Sequence, residues 1–270
     1  MTYDYDKEKR IEIFEDTITF IENNDYLKEK IKESIKETKI YNEDFSIKEK
    51  NETNLAKIIV KNTRTLAALD LFSNNIKNPC VLNFASATNP GGGVKRGSNA
   101  QEECLCRCST LYNVISNKKF FNDFYKFHRD KHNTLYTNKI IYSPNIVVVK
   151  EDIKFPTLMN KEKWKTCDVI SCAAPNLRET KIKDIELLNI MKNRIRCILD
   201  VAIDNNVDGI VLGAFGCGAF KCSPNVVARA FKEILINENY AKCFKEIIFA
   251  VLGVPNKDMI NYDVFNRTFK

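Results

Sequence analysis

Val81-Leu82-Asn83-Phe84-Ala85-Ser86-Ala87-Thr88-Asn89-Pro90-Gly91-Gly92-Gly93, followed by Val94-Lys95-Arg96-Gly97-Ser98-Asn99-Ala100-Gln101-Glu102-Glu103, is the stretch that decides the fold. It begins as an apolar strand, turns through three consecutive glycines and ends in two acids at a predicted helix start. Glycine lets a backbone bend and approach a ligand where side chains cannot. Ser98 stands three residues before Gln101, the spacing of a capping box. Cys104, Leu105, Cys108, Leu111 and Val114 supply the apolar face of the helix that follows. A strand, a bend rich in free N–H groups and paired carboxylates together suit chemistry on a phosphorylated ligand.

A second strand–glycine–helix unit lies downstream. Ile210-Val211-Leu212 runs into Gly213-Ala214-Phe215-Gly216-Cys217-Gly218-Ala219-Phe220, and Ser223-Pro224 opens the next helix. That geometry presents N–H groups and the positive end of a helix to phosphate. A tight turn needing glycine for steric reasons alone is the bland alternative. The familiar nucleotide motifs fail. No Gly-Lys-Ser/Thr ends either loop, and the third Rossmann glycine falls on Lys221.

Outward from these units, short buried-strand runs alternate with helices: Ile58–Val60, a helix near Leu66–Phe72, Cys80–Phe84, Ile140–Tyr142, Ile146–Val149, Cys167–Cys172, a helix over Ile185–Asn205, a helix from Ser223 to Ile236, and Ile247–Val251. Ser143-Pro144-Asn145 reads as a turn between two strands. The alternation predicts a three-layer α/β/α fold with a mixed central sheet. Before it, Ile11, Phe14, Ile18 and Ile21, then Leu27, Ile31 and Ile35, mark two helices separated by Asn23-Asn24-Asp25. Residues 1–50 therefore read as a helical N-terminal extension and residues 51–270 as the main domain.

Composition narrows the function. No apolar run approaches the ~20 residues of a membrane span. The polar start Met1–Asp6 carries no signal-peptide pattern, so a cytoplasmic location is expected. The net charge of +7 is dispersed among acids, as in Lys28–Lys39 with Glu29, Glu33 and Glu37, which reads as a solvated face rather than a nucleic-acid stripe. Ten Cys without a secretion pattern point to reduced thiols. Cys104, Cys106 and Cys108 cannot converge from one helix, and His128 and His132 lack further ligands, so no metal is expected. Cys217, between glycines, offers a nucleophile reading, with no His close in sequence.

The pattern Asn83-Phe84-Ala85, Asn89-Pro90-Gly91-Gly92-Gly93 and Gln101-Glu102-Glu103 resembles the signature of bacterial-type poly(ADP-ribose) glycohydrolases. The Gly213–Phe220 loop is similar to that family's diphosphate-binding loop, and Asp168–Pro175 fits in order and spacing. The resemblance covers roughly residues 51–270 and implies a macrodomain core. It implies hydrolysis of the ribosyl bond of ADP-ribose polymers, with no metal or redox cofactor. Glu103 falls on the catalytic acid and Glu102 on the residue that holds ribose hydroxyls. Gly91, Gly92 and Gly93 would line ribose and phosphate, Gly216, Cys217, Gly218 and Ala219 the diphosphate, and Phe220 the distal ribose. Asn83, Asn89 and Gln101 are candidate polar contacts, and Phe249 a candidate stacking partner for adenine. Like-charge repulsion from Glu102 and bound diphosphate would raise the Glu103 carboxyl, opposed by the helix start. Because successive helical residues diverge by ~100°, the two acids make a poor acid–nucleophile pair. The expected partners are ADP-ribose or ADP-ribosylated macromolecules, with no membrane and no direct nucleic-acid binding; ADP-ribosylated nucleic acid stays open. Two rivals remain at this level: a hydrolase of single ADP-ribose units on protein or nucleic acid, and a non-catalytic ADP-ribose reader. Intact Glu102-Glu103 favours an enzyme.

Overall fold

The computed structural model describes residues 5–50, 52, 54–255 and 258–270, which leaves the first four residues of the polar start outside. Seven strands form one sheet in the order β1-β4-β5-β3-β6-β7-β2. They are β1 (Lys39–Tyr41), β2 (Lys57–Lys61), β3 (Pro79–Phe84), β4 (Ile140–Val148), β5 (Lys165–Cys172), β6 (Gly209–Leu212) and β7 (Glu246–Ala250). β5, β3, β6, β7 and β2 run parallel, while β4 is antiparallel to both β5 and β1.

The continuous apolar runs follow from burial on both faces. Along β3, Cys80 and Leu82 enter one core and Val81 the other. Along β7, Ile247 and Phe249 face the first core and Ile248 the second. This is the period-two alternation of a strand with no wet side. The helices are α1 (Tyr5–Glu22), α2 (Asp25–Glu37), α3 (Gln101–Cys108), α4 (Leu111–Ile115), α5 (Lys118–Phe120), α6 (Phe127–Lys131), α7 (Asp184–Asp204), α8 (Pro224–Lys232) and α9 (Ile260–Thr268). Residues of α7, α8 and α9 cover one face; those of α1, α3 and α4 cover the other.

Several local expectations change. Ile140–Val149 is one strand to Val148 with a register shift between Ser143 and Ile146, not two strands and a turn. Asn145 sits at φ +60 in that irregularity and donates its N–H to Asp168. The helix after the glycines breaks at Ser109-Thr110, giving α3 and α4. The segment up to residue 50 is not wholly helical, because it supplies edge strand β1. The Asn23-Asn24-Asp25 boundary is a true cap, with the Asn24 side chain accepting from the Leu27 N–H at 3.1 Å.

α1 also reaches the loop that the first glycines open. Arg10 Nε donates to the Gly97 carbonyl at 2.6 Å. Gly97 has φ +70, and a Cβ there would lie 2.4 Å from the Lys7 carbonyl. At the loop's other end, Phe14 meets Tyr112 edge-on at 5.0 Å, and Tyr112 packs beneath Gly91. Thr17 Oγ1 bonds the Arg107 carbonyl at the far end of α3.

Candidate active site

The C-terminal ends of β3, β5, β6 and β7 open onto a cleft of about 870 Å³. The chain leaves the neighbouring strands β3 and β6 toward opposite edges of the sheet here, the place where open α/β sheets hold ligands. β3 feeds the glycine loop, and β6 feeds the Gly213–Phe220 loop across from it.

The first turn of α3 is set by Gln101. Its Oε1 accepts from the Phe84 N–H at 2.9 Å, and its Nε2 donates to the Leu82 carbonyl at 2.8 Å and to Thr65 Oγ1 at 3.1 Å. The expected Ser98 capping box does not form; Ala100 precedes the helix without a side-chain cap. Instead the Gln101 amide is taken by backbone groups at the end of β3.

Glu102 and Glu103 are 3% and 6% exposed, so both carboxyls are drawn into the cleft wall rather than into solvent. They approach one glycine. A Cβ on Gly92 would lie 2.5 Å from Glu103 Oε1 and 3.0 Å from Glu102 Oε2. The ~100° divergence of their Cα positions is overcome by the length of the two side chains. Both Glu102 oxygens are tied to the protein, Oε2 accepting from the Ser86 N–H at 2.7 Å and Oε1 from Asn83 Nδ2 at 3.4 Å. Glu103 Oε1 accepts from the Gly93 N–H at 2.8 Å, while its buried Oε2 has no partner. The Gly93 N–H is thus spent on one of the protein's own carboxyl groups rather than left for a ligand. The Gly92 N–H goes to the Asn89 carbonyl, and the Gly91 N–H supports Glu102.

Burial pushes the Glu102 carboxyl up to about 8; the Glu103 charge adds to this, and the bonds from Ser86, Asn83 and Gly91 oppose it. The fold therefore retains a proton that the unfolded chain, with a carboxyl near about 4.3, gives up. This group's stabilising contribution is complete at low pH and is lost as pH rises toward about 8. Glu102→Gln, which stays neutral, is expected to melt progressively higher than the parent as pH is raised from 5 to about 8. Melting curves across that window check it; a constant difference at all pH values contradicts it.

The second loop is bent by Gly216 at φ +79, whose missing side chain lets it lie on Ala174 and Cys222. Among the described residues the N–H groups of Gly216, Gly218, Ala219 and Phe220 make no hydrogen bond, so they stay available to an anion. The Cys217 N–H does not, since it is spent on the Ala214 carbonyl at 3.0 Å. Its thiol points to the Phe215 carbonyl, and burial pushes that thiol up, away from the thiolate a nucleophile needs. Ser223 makes no side-chain cap, although Pro224 opens α8 as anticipated.

Among the anticipated residues, Asn89, Gly92, Gly93, Gln101, Glu102, Glu103, Gly216, Gly218, Ala219 and Phe220 line the cleft. Asn83, Gly91 and Cys217 do not. Asn83 stands behind the wall, donating to Ser171 Oγ at 3.0 Å and to Glu102, and so supports an acid rather than facing a ligand. Phe249 is fully buried, stacked on Phe269 at 4.4 Å, so it is core and not an adenine contact. Arg64, Ser86, Tyr136 and Arg178 line the cleft without having been singled out. Arg178 lies 5.9 Å over the Phe220 ring, and Tyr136 is 6.1 Å from it. Arg178 was discoverable as a cation just past the end of β5, where such sheets bind ligands; nothing marked Tyr136.

Among the described residues no group of three or more His, Cys, Asp or Glu is placed to hold a metal ion. Both His128 ring nitrogens are taken, by the Phe124 carbonyl and Thr137 Oγ1, and burial lowers that ring to about 4. Among the described residues no helix is long and apolar enough to cross a membrane.

Comparison with known proteins finds relatives of this fold. The profile of the microbial-type PARG catalytic domain, PARG being poly(ADP-ribose) glycohydrolase, matches residues 9–151. The whole fold is similar to the Thermomonospora curvata PARG crystal structure, with a TM-score of 0.85 and 27% identity over 97% of this chain and 100% of that one. The same organism's glycohydrolase bound to the inhibitor ADP-HPD gives 0.82 and 27%, covering 96% and 99%. Deinococcus radiodurans PARG in complex with ADP-ribose gives 0.78 and 29%, covering 88% and 96%. No curated protein sequence matches the chain. With its family profile spanning more than half of its residues, this chain belongs to the microbial-type PARG catalytic domain family.

Proposed function

We propose that this protein hydrolyses the ribosyl glycosidic bond of poly(ADP-ribose) and releases ADP-ribose, with Glu103 as general acid. One observation carries the assignment: Glu103 Oε2 is buried at the cleft wall without a partner, while its twin oxygen is fixed by the Gly93 N–H. An acid held in that way has one free oxygen and one direction in which to deliver a proton.

The proton balance closes on these residues. Burial keeps a proton on the Glu102 carboxyl beside Glu103, which titrates only at about 8. Glu103 gives a proton to the ribose oxygen that leaves as its bond to C1″ breaks. Water adds to the oxocarbenium-like centre, and its proton returns to Glu103. Glu102, fixed by Ser86 and Asn83, orients the ribose hydroxyls. The free N–H groups of Gly216, Gly218, Ala219 and Phe220 receive the diphosphate, with Arg178 adding positive charge beside Phe220. Gly92 and Gly93 bring main chain close to the ribose without the bulk of a side chain.

On the same reading the sheet is a macrodomain core, and residues 5–50 brace it. All ten Cys are free thiols, which suits work in the reducing cytoplasm. Purified polymer and singly ADP-ribosylated protein, offered side by side, test the substrate. Release of ADP-ribose from polymer is expected. Release from the singly modified protein alone would move the substrate to mono-ADP-ribosylated targets, and binding without release would make the protein a reader.

A further inference from the structure

A second groove, of about 410 Å³, adjoins the catalytic cleft. Thr88 and Tyr136 belong to both, and Arg129, His132 and Asn133 line its outer part. We propose that this groove is a leaving-group subsite that holds the diphosphate of the next ADP-ribose unit of the polymer. The inference rests on the hydrolase reading given above.

Three observations lead to it. The first is position. Tyr136 stands between the groove and Phe220, the aromatic assigned to the distal ribose. Thr88 lies two residues from Ser86, which holds Glu102. The oxygen that Glu103 protonates belongs to the ribose of the next unit, so that unit leaves the cleft on this side. It carries a diphosphate of its own.

The second is charge. Arg129 donates Nε to the Thr88 carbonyl at 2.7 Å and Nη2 to Asn89 Oδ1 at 2.9 Å. Both acceptors are neutral, so the guanidinium is fixed in place while its charge stays uncompensated by them. The flanking lysines differ: Lys126 pairs with Asp130 and Lys131 with Glu43. A fixed guanidinium recognises phosphate oxygens well. His132 and Asn133 add exposed polar side chains beside it.

The third is strain. Tyr136 has φ +54 and His132 has φ +46, both in the left-handed region. For a bulky aromatic residue that conformation is unfavourable. Such outliers gather at ligand-binding positions, and here one of them forms the shared wall of cleft and groove. His128 locks it from behind, with ring centroids 5.9 Å apart.

The test compares ligands that differ only in the second unit. In Glu103→Gln protein, whose turnover is slowed by orders of magnitude, isothermal titration measures affinity for ADP-ribose and for a short purified oligomer. The oligomer is expected to bind about tenfold tighter, with steeper salt dependence. His132→Asp and Asn133→Asp each place a negative charge opposite Arg129 without touching its two bonds. Aspartate tolerates the left-handed backbone at 132, and at 133 it keeps the Oδ1 that accepts from Leu135. Either variant should remove most of the oligomer's advantage and leave ADP-ribose affinity within about twofold, because the added charge is local and screened beyond ~10 Å. Equal affinity for the two ligands in the Glu103→Gln parent overturns the subsite, as does a parallel loss of both in the Asp variants. Release of ADP-ribose from polymer by the wild type, measured alongside, reports on the hydrolase reading separately: no release with a retained oligomer preference defeats that reading and not the groove.

Discussion

Glu103→Gln is expected to lower turnover of poly(ADP-ribose) by about 10²–10⁴-fold, the range a general acid contributes, while ADP-ribose still binds. The amide has the shape of the acid. Its oxygen can keep the 2.8 Å bond from the Gly93 N–H. Its NH₂ then occupies the place of the unpartnered Oε2 and has no proton acidic enough to give. The loss should therefore appear in kcat, with KM little changed, the signature of an interaction made only in the transition state. Single-turnover rates and ADP-ribose titration separate the two quantities. A Glu103→Gln enzyme within tenfold of wild type in kcat removes Glu103 from the role.

Gly92→Ala is expected to be almost as damaging, by a different route. Gly92 has φ +59, where alanine costs about 1–2 kcal/mol. The added methyl carbon would also meet Glu103 Oε1 at 2.5 Å and Glu102 Oε2 at 3.0 Å. Both acids would have to withdraw, and a displacement of ~1 Å at a reacting group can cost ~100-fold. A fall in kcat of about that size, with a lower melting temperature, is the expected pair of results. Gly218→Ala supplies the contrast. A Cβ there meets nothing within 4 Å, and its φ is not positive, so thermal stability should hold. Equal stability losses in the two variants would show that the carboxyls are not what crowds Gly92.

The parts legible from sequence are those governed by local rules. Burial on both faces made β3, β5, β6 and β7 readable as apolar runs, and glycine chemistry marked both loops. The illegible parts depend on which residues meet in space. The capping-box spacing at Ser98 was genuine, but strand-end backbone groups claimed Gln101. Spacing alone set Glu102 and Glu103 apart, whereas the shared glycine brings their carboxyls together. Phe249 offered an aromatic ring on a strand, and only the surrounding Phe231, Phe265 and Phe269 reveal it as core. Tyr136 and Arg129 reach the site from the segment between α4 and β4, and no local motif announces an approach of that kind.

The contact of α1 with Gly97 has a practical corollary. Both acids, both glycine bends and five parallel strands lie after residue 50, so a clone starting at 51 would look complete on paper. It would nevertheless lack the Arg10 strut and the Lys7 backbone against which the spacer between glycines and acids is moulded. The shortest useful catalyst cut from this polypeptide has to keep its opening helix.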